Sequence, residues 1–367
     1  MAETRVLQVL GRSAGGIARH VAQVTEALDG HRDLLIDVAA PRDLPLEMPK
    51  PAINLSIPDG LAGGHIRAML HLRLIAAEGG YDVVHAHGIR AGIDCGVALK
   101  GRRPKLITTV HNLVRPEIVG GARSVLFRQG EGLVVRLSQH VFAVSGEMTE
   151  HLRRSADPTK LETLYLGVGT APAVERTKAS VRRELGLQKG RSLVVTASRL
   201  AKQKDLPVML EAVKRLSADA VLGVLGVGPL ETELRAEARS LGIEPRVKWL
   251  GFKHNVADYV SAADVFCLSS TWEGIPLSVQ EAILLGTPVV ATAVGGMPEI
   301  VTDRETGRLV PPSDPDSLAK ALDEVLLDGA ARKRYATAAR IHLSERFSTA
   351  RMLDRLESAY KEASHGA

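Results

Sequence analysis

The chain has 367 residues, room for two domains, and 45% hydrophobic with 24% charged residues is a globular composition with ample core. Aromatic residues make up 3%, too few for the stacking platforms of a single-stranded nucleic-acid binder, so no nucleic-acid partner is expected. A formal charge of +5 is modestly basic, and the two cysteines, Cys95 in a helical pattern and Cys267 in a strand pattern, read as buried small hydrophobes rather than a disulfide scaffold.

The first residues, MAETRVLQVLGRSAGG, lack a basic segment followed by a long apolar core, so no signal peptide is read. The strand RVLQVL leads through GRSAGG into GIARHVAQVTEALDG, a helix with Ile17, Val21, Val24 and Leu28 on one stripe and Gly30 as its stop. Strands follow at LLIDVAA, YDVVHAH, KLITTVH and HVFAVS, with helices between them. Residues 166–174, LGVGTAPAV, are uncharged and rich in Gly, Ala and Pro, and read as a linker. Strands resume at SLVVTAS, AVLGVLG, RVKWLG, DVFCLSS, TPVVATAV and GRLVP, and the chain from Asp316 onward is helical and highly charged. The longest uncharged run, 282–298, is broken by Gly286-Thr287-Pro288 and by Gly295-Gly296, so it reads as a buried helix and strand rather than a membrane span. A cytoplasmic location is expected.

Alternating short strands and amphipathic helices imply parallel sheets covered on both faces. The expected fold is α/β: two doubly wound Rossmann-like domains facing a cleft. The expected divisions are 1–168, an acceptor-side domain; 169–345, a nucleotide-sugar-binding domain; and 346–367, a C-terminal helix crossing back to the first domain. In such folds ligands bind beyond the carboxyl ends of the strands, and five segments lie there.

Gly11 to Gly16 follows the first strand, and the adjacent Gly15 and Gly16 allow close backbone approach to a phosphate or sugar, or simply make a tight turn. A dehydrogenase reading also arises here, because Asp37 ends the second strand ~20 residues on, but the spacing is not G-x-G-x-x-G. His111 in TVHN ends a strand, with His85 and His87 nearby in sequence, and each can be structural or functional. SRLAKQKD brings Arg199 and Lys204 to a strand end, a planar fork and a point charge suited to a diphosphate, or else a solvated basic loop. GVGPL, including Gly228, suits close packing under a nucleotide or an ordinary strand–helix turn.

The last segment is EGIPLSVQE, with Glu273 and Glu281 at its ends and no charge between. Pro276 forbids one continuous helix through both acids but suits a first turn, so Glu273 is expected in a loop and Glu281 on the second turn of a helix opening near Pro276. The two carboxylates would flank a helix start whose N–H groups point at a ligand.

SRLAKQKD, GVGPL, WEGIPLSVQEAILLGTPVVATAVGGMPEIV and TGRLVPPSD, in that order, resemble the retaining family-4 glycosyltransferases of the GT-B fold, whose hallmark is Glu-x7-Glu. The resemblance is strong in the second domain and thinner in the first. It implies that Arg199 and Lys204 hold the donor diphosphate, Glu281 takes the ribose hydroxyls and Glu273 contacts hydroxyls of the transferred sugar. It places the backbone of Gly274, Ile275, Pro276, Leu277 and Ser278 at the sugar and phosphates, His111 by the donor sugar, Gly15 and Gly16 near the diphosphate and acceptor, and the base near Gly228 and Phe252. The chain departs from the family in the linker, where LGVGT replaces Asn-Gly-Val-Asp, and at Ser198, where Gly is commoner before the Arg.

The implied activity is metal-independent, configuration-retaining transfer of a hexose from a nucleotide-diphosphate sugar, UDP first and GDP second, to a hydroxyl acceptor such as a lipid-linked or cell-surface glycan precursor. The nucleotide sugar is a co-substrate, and no cofactor is required. No enzymatic nucleophile stands out, and Asp314-Pro315-Asp316, which mimics a metal-binding Asp-x-Asp, reads better as a helix cap. Residues 100–136 hold eight cations (Lys100, Arg102, Arg103, Lys105, Arg115, Arg123, Arg128, Arg136) against Glu117 and Glu131, either a patch for anionic lipid on the inner face of a membrane or a core helix with a solvated basic face. A UDP-sugar epimerase and a non-catalytic nucleotide-sugar module are the alternative readings.

Overall fold

The structure is a computed structural model; it describes residues 3–11, 16–31, 33–44, 48–58, 63–113, 121–154, 157–167 and 169–365, and of 121–127 only the backbone. The chain divides into two compact units, Met1–Gly167 with Thr349–Ala367, and Val168–Ser348.

The first unit runs β1 (Thr4–Leu10), α1 (Gly16–Leu28), β2 (Leu34–Ala40), β3 (Ile53–Asn54), α2 (His65–Gly79), β4 (Val83–His87), α3 (Ile89–Ala98), β5 (Lys105–Val110), α4 (Gly121–Leu137), β6 (His140–Ala143), α5 (Gly146–Arg153) and β7 (Leu161–Thr163). Its parallel strands are ordered β3-β2-β1-β4-β5-β6-β7. β1 and β4 are buried along nearly their whole length, as strands covered by helices on both faces must be. In α1, Val21, Val24 and Leu28 are buried and Ile17 half-buried, and Gly30 ends the turn with φ +72°.

The second unit runs α6 (Lys178–Glu184), β8 (Ser192–Ala197), α7 (Leu206–Arg215), β9 (Ala220–Leu225), α8 (Glu231–Ser240), β10 (Val247–Gly251), α9 (Val256–Ala262), β11 (Val265–Leu268), α10 (Leu277–Leu284), β12 (Val289–Thr292), α11 (Met297–Ile300), β13 (Arg308–Val310), α12 (Pro315–Leu327) and α13 (Gly329–Arg346). Its parallel sheet is ordered β10-β9-β8-β11-β12-β13. Strand order reverses between β1 and β4 in one unit and between β8 and β11 in the other. The loops after those strands part to opposite sides there and leave a crevice at the carboxyl edge. Two doubly wound parallel sheets of this kind are the expected α/β architecture.

The last helix, α14 (Thr349–His365), packs onto the first unit by a stripe of Met352, Leu356, Ala359, Tyr360 and Ala363, all buried. Arg355 fixes its register by forking Glu162, with Nε 2.9 Å from Oε1 and Nη2 2.9 Å from Oε2, while its guanidinium lies 5.5 Å over the Phe142 ring. Asp314 caps α12, accepting from the Ser317 amide at 2.9 Å. In α4, Val134 and Val135 are fully buried, and α3 presents Gly92 and Gly96 where a Cβ would meet Val134 at 2.3 Å and Leu137 at 2.5 Å. From Gly130 onward this helix therefore faces the core, and Glu131 is buried against His151 at 3.0 Å. Arg115, Glu117 and the side chain of Arg123, part of the expected basic stretch, lie outside the described residues. Among the described residues, no helix is long and apolar enough to cross a membrane.

Candidate active site

Five loops of the second unit lie at the carboxyl edge of its sheet. The loop after β8 carries Arg199, exposed, and then a single 3₁₀ turn, Lys202–Lys204, that closes on Asp205 in the left-handed region (φ 44°). Asp tolerates that conformation better than most side chains. Ser269, just past β11, anchors the turn by donating to the carbonyls of Lys204 and Asp205, each at 2.9 Å. Gln203 clasps the β11 loop from the other side: its Nε2 donates to Trp272 O at 2.8 Å, and its carbonyl accepts from the Thr271 amide at 2.9 Å. The crevice where strand order reverses is thus stitched by polar contacts between the β8 and β11 loops.

Lys204 and Glu273 meet across it. Lys204 Nζ donates to Glu273 Oε1 at 2.5 Å, and Ser270 Oγ donates to the same oxygen at 2.5 Å. Glu273 is only 5% exposed, so its charge needs these partners to be tolerated. Its other oxygen, Oε2, has no hydrogen-bond partner among the described residues. Glu273 therefore offers one held oxygen and one open acceptor. Lys204 keeps two of its three donors for a second anion.

Beyond Glu273 the chain passes Gly274 and Ile275 to Pro276, the N-cap of α10, with no side-chain cap. The Pro276 carbonyl accepts from the amides of Val279 (3.1 Å) and Gln280 (3.4 Å). The amides of Leu277 and Ser278 have no acceptor among the described residues. Unpaired N–H groups at a helix start attract an anion, and the helix dipole adds to that attraction. Glu281 lies on the second turn, half-buried, as Pro276 required.

Three glycines hold these loops together. Gly295, with φ +58°, lies so close under Glu273 that a Cβ there would stand 1.7 Å from the Glu273 carbonyl oxygen, and Gly296 N donates to the carbonyls of Glu273 (3.3 Å) and Gly274 (3.1 Å). Gly226, with φ +119°, opens the β9 loop, where a Cβ would reach the Ser198 carbonyl oxygen at 2.0 Å. Its amide donates to Gly251 O at 2.8 Å. That bond joins the loop containing Gly228 to the one containing Phe252, which is 65% exposed with its ring 5.0 Å from that of His254. Arg199, Lys204, Gly228, Phe252, Glu273 and the α10 start thus all lie on strand-end loops of one sheet edge.

The first-unit residues gather elsewhere in that unit. His111 follows β5, is 5% exposed, and its Nε2 lies 3.0 Å from His87 Nδ1. His87 Nε2 meets Gln8 Oε1 at 2.6 Å, Gln8 Nε2 donates to Tyr360 Oη at 2.8 Å, and His85 bridges Tyr360 Oη and Thr109 Oγ1, both at 2.7 Å. His20 packs against this array, its ring centre 5.5 Å from that of His111 and 5.7 Å from that of His87, with no partner for either nitrogen among the described residues. Burial holds all four histidines below the ordinary value, His20 to about 4 and His85 to about 3, and His87 and His111 well below it. Neighbouring rings add to the effect for the last three. Gly16 opens α1, and Gly15 lies outside the described residues. Ser270, Gln203, Gly295, Gln8, His20 and Tyr360 had no role in the sequence reading, and only the paired glycines after TPVVATAV gave a local signal.

A family model for Glycosyl transferases group 1 matches residues 177–342, and one for Glycosyltransferase Family 4 matches residues 14–171. The D-inositol 3-phosphate glycosyltransferase of Xylanimonas cellulosilytica is 32% identical over 321 residues, covering 81% of this chain and 76% of that protein. The chain belongs to glycosyltransferase family 4. This family-4 enzyme is a glycosyltransferase that draws its sugar from a nucleotide sugar. It is also similar to the alpha-maltose-1-phosphate synthase of Mycolicibacterium smegmatis, 28% identical over 381 residues and 95% of this chain and 96% of that protein. Its fold matches that of Anabaena HepE solved with UDP-glucose, with a TM-score of 0.82 at 20% identity over 98% of this chain and 100% of that one. The fold of this family-4 chain is therefore GT-B.

Proposed function

We propose that this glycosyltransferase is a retaining, metal-independent hexosyltransferase with a UDP-sugar donor, GDP-sugar being the second choice. The observation that carries the reading is the Lys204–Glu273 pair, which spans the reversal of strand order beside the free amides of Leu277 and Ser278. A diphosphate fits the cationic side of that arrangement and a sugar hydroxyl fits the open Glu273 oxygen. The HepE complex with UDP-glucose supports UDP as the carrier.

In this reading the two carboxylates are hydroxyl acceptors: Glu281 for ribose, Glu273 Oε2 for the transferred hexose. As the sugar–phosphate bond breaks, negative charge grows on the leaving diphosphate. Arg199, the free donors of Lys204 and the α10 amides stabilise it, each such donor being worth on the order of 100- to 1,000-fold in rate. The departing phosphate oxygen takes the acceptor's proton on the same face, so the anomeric configuration is kept. His111 offers a ring nitrogen to a substrate hydroxyl. Gly16, with Gly15, is assigned to backbone approach to the diphosphate and acceptor.

The acceptor is a hydroxyl compound. A lipid-linked or cell-surface glycan precursor fits the basic residues of 100–136 if Arg102, Arg103 and Arg128 meet an anionic bilayer, and salt-sensitive sedimentation with anionic vesicles tests this. The names of the two curated relatives favour a second class, a small phosphorylated sugar or polyol. Thermal-shift screening against nucleotide sugars identifies the donor, because a ligand of the folded state raises its apparent stability. Product analysis then decides the reaction: retention at the anomeric carbon and turnover unaffected by a chelator are expected. Free nucleotide with an epimerised sugar and no acceptor requirement would overturn transfer in favour of epimerisation.

A further inference from the structure

The orientation of the Gln8 amide sets the hydrogens of the buried polar chain in the first unit. Gln8 Nε2 only donates, and it meets Tyr360 Oη at 2.8 Å; Gln8 Oε1 only accepts, and it meets His87 Nε2 at 2.6 Å. His87 therefore carries its proton on Nε2. Burial, reinforced by the rings of His85, His111 and His20, keeps it neutral, so Nδ1 bears a lone pair. That lone pair faces His111 Nε2 at 3.0 Å, which must donate. His111 is kept neutral by the same burial, so its Nδ1 has no proton, and that atom has no partner among the described residues. At the other end Tyr360 Oη, having accepted from Gln8, donates to His85 Nδ1, and His85 Nε2 donates to Thr109 Oγ1. Every bond then runs in one direction. Turning the Gln8 amide over reverses them all and moves the His111 proton to Nδ1.

We infer that Gln8, His87 and Tyr360 are positioning residues that hold His111 as its Nε2–H tautomer, so that the Nδ1 lone pair accepts a hydrogen bond from a sugar hydroxyl of the substrate. This rests on the reading that His111 meets substrate. A ring nitrogen's role is set by what its other nitrogen contacts, and a wrong tautomer can disable a well-placed histidine. His20 cannot set the tautomer, because it makes no hydrogen bond to either ring. Tyr360 brings the final helix α14 into the array, so the end of the chain completes a site built from β1, β4 and β5.

The test is a two-bond ¹H–¹⁵N correlation spectrum of protein labelled at histidine, with His111 assigned by its loss in His111→Gln. The wild type is expected to carry the His111 proton on Nε2. Tyr360→Phe, which removes one oxygen and keeps the ring, and Gln8→Leu are expected to show a mixed tautomer. Turnover should fall about tenfold, the worth of one neutral hydrogen bond, with nucleotide affinity unchanged. A proton on Nδ1 in the wild type overturns the inference. So does an altered tautomer with unaltered turnover, or reduced turnover with an unaltered tautomer. If Gln8→Leu does not fold, Tyr360→Phe decides alone. The spectrum needs no turnover, so a wild type that transfers no sugar would sink the functional reading, whereas an Nδ1 proton in an active enzyme sinks only this one.

Discussion

Acidification from about pH 7.5 to about pH 5 is expected to loosen the first unit and leave the second nearly unchanged. The folded protein keeps His20 neutral down to about 4 and His85 down to about 3, whereas both titrate near the ordinary 6.5 in the unfolded chain. Below about 6.5 the unfolded chain binds protons that the folded one refuses, so stability is complete above that value and lost as pH falls toward the folded values. Linkage over that interval gives about 2 kcal/mol for each ring at pH 5, or roughly 4 kcal/mol for the two. His87 and His111, displaced in the same direction, add to it. Domains commonly hold about 5–15 kcal/mol, so the loss is a large share. In the second unit Asp264, Asp303, Asp314 and Asp328 are held below the ordinary carboxylate value, so their contribution is lost only below about pH 4, outside the interval. Hydrogen exchange read by mass spectrometry, corrected for the intrinsic pH dependence of exchange, separates the units. Protection should fall in β1, β4 and α14 and hold in β8 and β11. Equal loss in both units, or none in the first, would refute the argument that burial, reinforced by the neighbouring rings, keeps these histidines neutral.

Other substitutions probe the second unit. Lys204→Ala leaves the buried Glu273 carboxylate with Ser270 alone and should cost about 3 kcal/mol, recovered in part by Glu273→Gln in the same chain; urea unfolding followed through nearby Trp272 measures both. Gly295→Ala forces a Cβ onto the Glu273 carbonyl from a left-handed backbone, so a fall in melting temperature and loss of turnover are expected together, whereas wild-type behaviour would deny that this glycine clasps the site. Glu273→Ala should mainly slow turnover, by on the order of 100-fold, at nearly unchanged nucleotide affinity in steady-state kinetics and calorimetry; a purely affinity-based defect would contradict its assignment to the sugar.

Much of the fold was legible because parallel strands buried on both faces are written as short apolar runs, as in AVLGVL and VVHAH. β3 and β7, of two and three residues, had no sequence signal. The donor-side loops could be read because their chemistry is local: Pro276 alone placed the helix start between the two acids. The pairing of Lys204 with Glu273 could not be read, because 69 residues separate them and only the reversal of strand order brings them together. The histidine array is further from view. Its links join Gln8 and His85 to Tyr360 across 352 and 275 residues, and a strand-end histidine looks the same in sequence whether it is packed, wired or catalytic.

We propose that the second unit grips a nucleotide sugar by its diphosphate and ribose at the start of α10. Isothermal titration of the donor found by screening, against wild type, Glu281→Ala and Arg199→Ala, tests it most directly. Glu281→Ala is expected to weaken binding by about tenfold or more through loss of hydrogen bonds to a charged acceptor, and Arg199→Ala by a similar factor that shrinks as salt is added. Equal affinity in all three proteins would show that the donor is held elsewhere.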